Sequence, residues 1–196
     1  MNKEAIQRVS EAIAGRIDAA LNAALRSPLP VKRVIVAPPT KDHLEVMQVV
    51  LFPYRLAVNT ALRNTERVLP PSGPHGTPVV FNDALPLDVF YLITVGTTHT
   101  DDLESQLWLG TVMQALQQNP TLSGAAVDGD TVRISLEPAV LDEMSRVWAM
   151  FPDADYRTSV IYVASPVWID PLSEDVAHPV IDQQSRFGQA DGASLQ

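Results

Sequence analysis

A chain of 196 residues, 46% hydrophobic and 19% charged, has the composition of a folded globular protein, and its length fits one domain with its own core. Fourteen Lys and Arg dispersed against 23 Asp and Glu leave a formal net charge of −9, which disfavours general binding to nucleic acid or an anionic membrane. Cysteine is absent, which excludes disulfides, thiolate nucleophiles and zinc–cysteine centres.

In the opening segment Ile6, Val9, Ile13, Ile17, Leu21 and Leu25 recur three or four apart, so the spacing predicts an amphipathic helix over 3–26. Lys3, Arg8, Glu11 and Asp18 interrupt any signal-peptide core, and no run approaches the roughly 18 apolar residues of a membrane span, so cytoplasmic synthesis without export is expected. Ser27-Pro28-Leu29-Pro30 stops the helix, because proline lacks an N–H and pushes its predecessor out of helical geometry. Lys32–Ala37 and Val46–Tyr54 read as β-branched strands. From Arg55 to Pro86 periodicity fades into Asn, Pro and Gly, the composition of a long surface loop.

Leu87–Val95 is apolar at nearly every position, which predicts a central strand covered on both faces. A helix follows, with Asp101 as cap, Glu104 in its first turn and Asn119-Pro120 as its end; Leu103, Leu107, Trp108, Val112, Met113 and Leu116 are its expected core face. Gly110 weakens that helix unless a close neighbour needs the space. Asp128-Gly129-Asp130 reads as a turn into Thr131–Leu136, whose alternation is that of a half-exposed strand. Pro138 suits the first turn of a second helix with a stripe of Leu141, Met144, Val147, Trp148 and Phe151. Thr158–Asp170 is the last long strand, and Pro166 in it demands an edge or a bulge. The interleaving predicts an α/β fold, a mixed sheet with flanking amphipathic helices over 1–170, followed by an extended C-terminal arm over 171–196.

Chemical motifs are sparse. His43, His75, His99 and His178 stand far apart with no metal-ligand spacing, so no metal or cofactor is expected. His99 beside Asp101 and Asp102 reads more simply as helix capping than as catalysis, and Asp128-Gly129-Asp130 lacks the remaining ligands of a calcium loop. There is no G-x-S-x-G elbow, and the glycines around Ser72-Gly73-Pro74-His75-Gly76 open no helix, so neither a hydrolase elbow nor a phosphate loop is present. Trp148 and Tyr162 sit in apolar patterns as core anchors, whereas Arg55, Arg63 and Arg67 punctuate the loop and read either as solvated cations or as interface residues.

An ordered set of segments carries a family resemblance. They are Phe52-Pro53-Tyr54-Arg55 with Asn59, Ala61-Leu62-Arg63-Asn64, Leu85-Pro86-Leu87-Asp88 leading to Tyr91-Leu92-Ile93-Thr94, and Val132–Pro138 running into Glu143-Met144-Ser145-Arg146-Val147-Trp148. Last come Tyr156-Arg157 with Ser159 and Tyr162, ending at Ile169-Asp170. Over residues 5–187 the sequence resembles the cap, or tail-terminator, proteins of extracellular contractile injection systems of the antifeeding-prophage and virulence-cassette type.

That resemblance implies a tail-terminator-like fold and a non-enzymatic part: a six-fold ring of copies closing the baseplate-distal end of tube and sheath. Its implied partners are itself and the sheath and inner-tube proteins, with assembly in the cytoplasm. The interface candidates are Arg55, Arg63 and Arg67, with Val180, Ile181 and Phe187 of the arm, a segment too poor in apolar residues to order alone. A small hydrolase and a general protein-binding adaptor are the competing readings.

Overall fold

The structure, a computed structural model, describes residues 3–27, 29–69, 79–96, 102–171 and 175–176. Helix α1 (Ala5–Ala24) buries Val9, Ile13, Ile17 and Leu21 along one stripe and ends where Arg26 turns left-handed at φ 49°. Asp18 Oδ1 on its flank accepts the backbone N–H groups of Arg33 and Val34 at 2.7 and 3.0 Å, which sets the entry of strand β1 (Val34–Val36). A six-residue helix α2 (Lys41–Val46), unforeseen in the sequence, joins β1 to β2 (Val49–Val58). The central strand β5 (Leu85–Val95) lies antiparallel to β2 and to β8 (Ser159–Ile169); β7 (Thr131–Glu137) and the short β6 (Thr121–Ser123) complete the far side. The sheet order is β1-β2-β5-β8-β7-β6, mixed because β1 and β2 run parallel while the other pairs are antiparallel.

Both faces of the sheet are covered, as the unbroken apolar run of β5 predicts. On one face α1 and α3 (Asp102–Gln118) pack Val9, Ile13, Ile17, Trp108, Val112 and Leu116 against Val89, Tyr91 and Ile93 of β5. On the other, Leu44 of α2 and Met144, Val147 and Trp148 of α4 (Leu141–Trp148) cover Val50, Phe90, Leu92 and Ile161. Arg16 ties α1 to the end of α3 through the carbonyl oxygens of Asn119 and Thr121. At Gly96 a Cβ would collide with the carbonyl oxygens of Met47 and Leu44, so only glycine lets β5 exit beneath the end of α2.

Several expectations need correction. The region 55–86 is not one loop: β2 continues to Val58, a turn occupies 60–64, and β3 (Arg67–Leu69) and β4 (Val79–Phe81) form a three-stranded sheet, order β3-β4-β9, with β9 (Asp175–Val176). Two residues of the expected arm therefore pair with the chain's own β4; the capping role of Asp101 lies outside the described residues. Pro138 precedes α4 rather than entering it. Leu103, Leu107 and Leu141 are exposed rather than packed, because each helix turns only part of its apolar stripe to the sheet. Pro166 lies on an interior strand rather than at the edge of the sheet, and the expected bulge accommodates it. Two residues of β8, Ser165 and Pro166, stand between Ala164 and Val167 where β5 has only Asp88 between Leu87 and Val89, and β7 pairs with β8 only as far as Ser165.

Candidate assembly interface

Past the irregularity at Pro53/Arg55, β2 presents Arg55 on the face that carries α4. Its guanidinium stacks 3.7 Å from the Phe90 ring centroid and lies 3.8 Å from Glu143 Oε1. Tyr54 donates its hydroxyl to the same oxygen at 3.2 Å, and burial, followed by the Glu143 charge, pushes the phenol up to about 12. Arg55 is half exposed, so its ion pair contributes only about 0–1 kcal/mol and its outer edge stays open to another carboxylate.

Arg63 sits on the turn after β2, which Asn59 builds by accepting the N–H groups of Ala61 and Leu62 at 3.1 Å each. The Asn59 amide also donates to Asp88 Oδ1 at 3.0 Å and to Ser165 Oγ at 3.1 Å, anchoring the turn to β5 and β8. Arg63 is exposed and makes no ion pair with another described residue. Arg55 and Arg63 thus lie on either side of the end of β2.

Arg67 is not a loop cation. It is 5% exposed at the start of β3, its guanidinium paired with Asp130 Oδ1 at 2.7 Å and with Asp170 Oδ1, between the rings of Phe81 and Trp168. Burial raises the Asp130 carboxyl above its usual range, against the lowering effect of Arg67. Arg67 therefore clamps the small sheet to the large one within a single copy. Val180, Ile181 and Phe187 lie outside the described residues.

The sequence reading did not mark the exposed apolar surface. Leu136, Leu141 and Tyr156 border a cleft of about 380 Å³ at the start of α4, and a second groove of about 430 Å³ runs between α1 and residues 30–32. Among the chemical candidates, Asp128 and Gly129 form the expected turn, both at positive φ, while Asp130 is engaged by Arg67. His43 Nδ1 lies 2.8 Å from the Pro38 carbonyl and 3.0 Å from Thr40 Oγ1 at the start of α2; the other three histidines lie outside the described residues. Among the described residues no three His, Asp or Glu side chains gather as a metal site, and no helix is long and apolar enough to cross a membrane.

The fold is shared with a solved sheath/tube terminator of an extracellular contractile injection system, PVC, in its extended state. Identity to it is 21% and the TM-score 0.52, over 92% of this chain and 64% of that one. The anti-feeding prophage tube-terminating cap is 18% identical with a TM-score of 0.48, over 87% of this chain and 60% of the cap. The chain thus spans a little under two thirds of the terminators it matches. No curated protein matches it significantly. The profile of the Pvc16 N-terminal domain family matches residues 8–183, nearly the whole α/β unit and the start of the segment after it, and the chain belongs to that family.

Proposed function

We propose that the chain is a terminator domain that closes the baseplate-distal end of the tube and sheath of a phage-tail-like contractile particle, as a ring of copies that is six-fold by resemblance. The observation that carries this reading is the family match over residues 8–183, on a chain whose fold is that of a sheath/tube terminator. The likeness to a structural part also favours a non-enzymatic role over the hydrolase reading. Arg55 and Arg63 are the cations offered to a neighbouring subunit, sheath or tube. The segment after Val176, with Val180, Ile181 and Phe187, is the arm that orders against one of them.

Electron microscopy of particles produced with and without this protein tests the reading. Open-ended or irregular-length tubes are expected in its absence, and particles of normal length and closure overturn it. Because Asp175 and Val176 belong to the small sheet, the arm is tested by truncation after Val176: a folded protein that enters particles poorly is expected, and full incorporation counts against the arm.

A further inference from the structure

Leu103 and Leu107 stand one turn apart on α3, 70% and 63% exposed, and Gly110 and Gln114 continue the same exposed stripe. From Ser105 to Gln118 the helix has no charged residue, although a solvent-facing stripe ordinarily carries charge. A Cβ at Gly110 would meet nothing within 4 Å, so no neighbour among the described residues explains that glycine.

The groove between α1 and residues 30–32 is a complementary surface. Gly15 and Ala19 lie along it one turn apart, at the same helical spacing of about 6 Å as the two leucines, and Pro30 and Val31 form the facing wall. Its polar members are already engaged: Asp18 accepts two backbone N–H groups, and the Asn22 amide donates to the carbonyls of Asp18 and Val31. The surface left to an occupant is therefore apolar, and its rim is positive. Lys32 borders the groove and Arg26 lies one turn beyond Asn22, both exposed and neither in an ion pair among the described residues. The first turn of α3 has the opposite sign, with Asp102 and Glu104 flanking Leu103.

We infer that Leu103 and Leu107 of one copy seat in the Gly15–Ala19–Val31 groove of a second copy, with Glu104 against Lys32. Knob and groove are different patches, so the contact is heterologous and leaves each pair with one free knob and one free groove. Such a contact propagates from copy to copy and makes a ring where its rotation closes. The inference rests on the terminator reading for its ring, and names the surfaces that make it.

The absence of cysteine permits a direct test. Leu103→Cys or Leu107→Cys is combined in one chain with Gly15→Cys or Ala19→Cys, in all four pairings, and each protein is oxidised at high concentration. At least one pairing should give a ladder of covalent multimers, about tenfold more product than either parent single variant. Lys32→Glu should slow that reaction and Glu104→Lys should restore it. Absence of a ladder from all four pairings, or equal product from the single variants, overturns the interface. Because oxidation traps weak encounters, the result does not depend on a stable ring in solution. A ladder together with normal particles lacking the protein would leave the contact standing and remove the terminator reading.

Discussion

Tyr91 and Ser10, 81 residues apart in sequence, meet inside the larger core with 2.9 Å between their hydroxyl oxygens. Ser10 Oγ donates to the Ile6 carbonyl at 2.8 Å, so the phenol donates to Ser10 and α1 is fastened to the central strand by a buried relay. Removing the donor and removing the acceptor then have unequal costs. Tyr91→Phe should destabilise by about 1 kcal/mol, whereas Ser10→Ala strands a buried phenolic O–H and should cost about 1–3 kcal/mol. Urea unfolding of the two variants checks the ranking, and a reversed order would show the relay running the other way.

Alkaline pH acts on the same phenol. Burial pushes Tyr91 up to about 12, and Tyr54 is raised to about 12 by burial and by Glu143. An acid with a raised folded-state pKa keeps its proton after the unfolded chain has lost it, so its contribution is complete below about pH 10 and is lost as pH rises toward 12. The urea midpoint should fall across that window, less steeply in Tyr91→Phe. A midpoint that is flat from pH 10 to 12 in the parent protein refutes the assignment.

Trp148 is buried beside Phe151 and Tyr156, with ring centroids 6.4 and 5.8 Å away, so Trp148→Ala should cost about 3–5 kcal/mol. Arg63 is exposed on its turn, and Arg63→Ala should shift the melting temperature little while weakening incorporation into particles. Melting curves and incorporation assays on the two variants should rank in opposite orders. A larger thermal shift for Arg63→Ala would mean that core and interface have been exchanged.

Arg67→Leu should destabilise by about 3–5 kcal/mol, because it leaves the carboxylates of Asp130 and Asp170 buried without their cation. The pH dependence has a definite sign. Asp130 is already raised by burial, and losing Arg67 removes a lowering influence, so the variant is least destabilised in acid and loses stability as pH rises through the Asp130 folded-state value. Equal destabilisation at about pH 4 and pH 7 would contradict it.

Elements that carry their own periodicity were legible in the sequence. The stripe of α1, the two-sided run of β5, the alternation of β7 and the constraint at Pro166 each reduce to a local pattern that the structure reproduces. The three-residue strands β3, β4 and β6 were not, because segments so short owe their conformation to the partner strand rather than to their own side chains. Exposure failed for a related reason. Periodicity marks Leu103, Leu107 and Leu141 as apolar but does not say how wide a stripe the sheet covers. Arg67 reads from sequence as a surface cation because its partners lie 63 and 103 residues away, beyond the reach of any local signal.

Those separations also bear on the order in which the molecule is assembled and taken apart. Arg67, Asp130 and Asp170 belong to three distant stretches of chain, and their cluster closes only when β7, the end of β8 and the small sheet are all in place. Because the cluster closes only once those three stretches have docked, it is expected to form after the transition state. A contact absent from the transition state retards unfolding and leaves the folding rate alone. In stopped-flow experiments the Arg67→Leu protein should therefore show a raised unfolding limb over an unchanged folding limb, which makes this guanidinium a brake on disassembly.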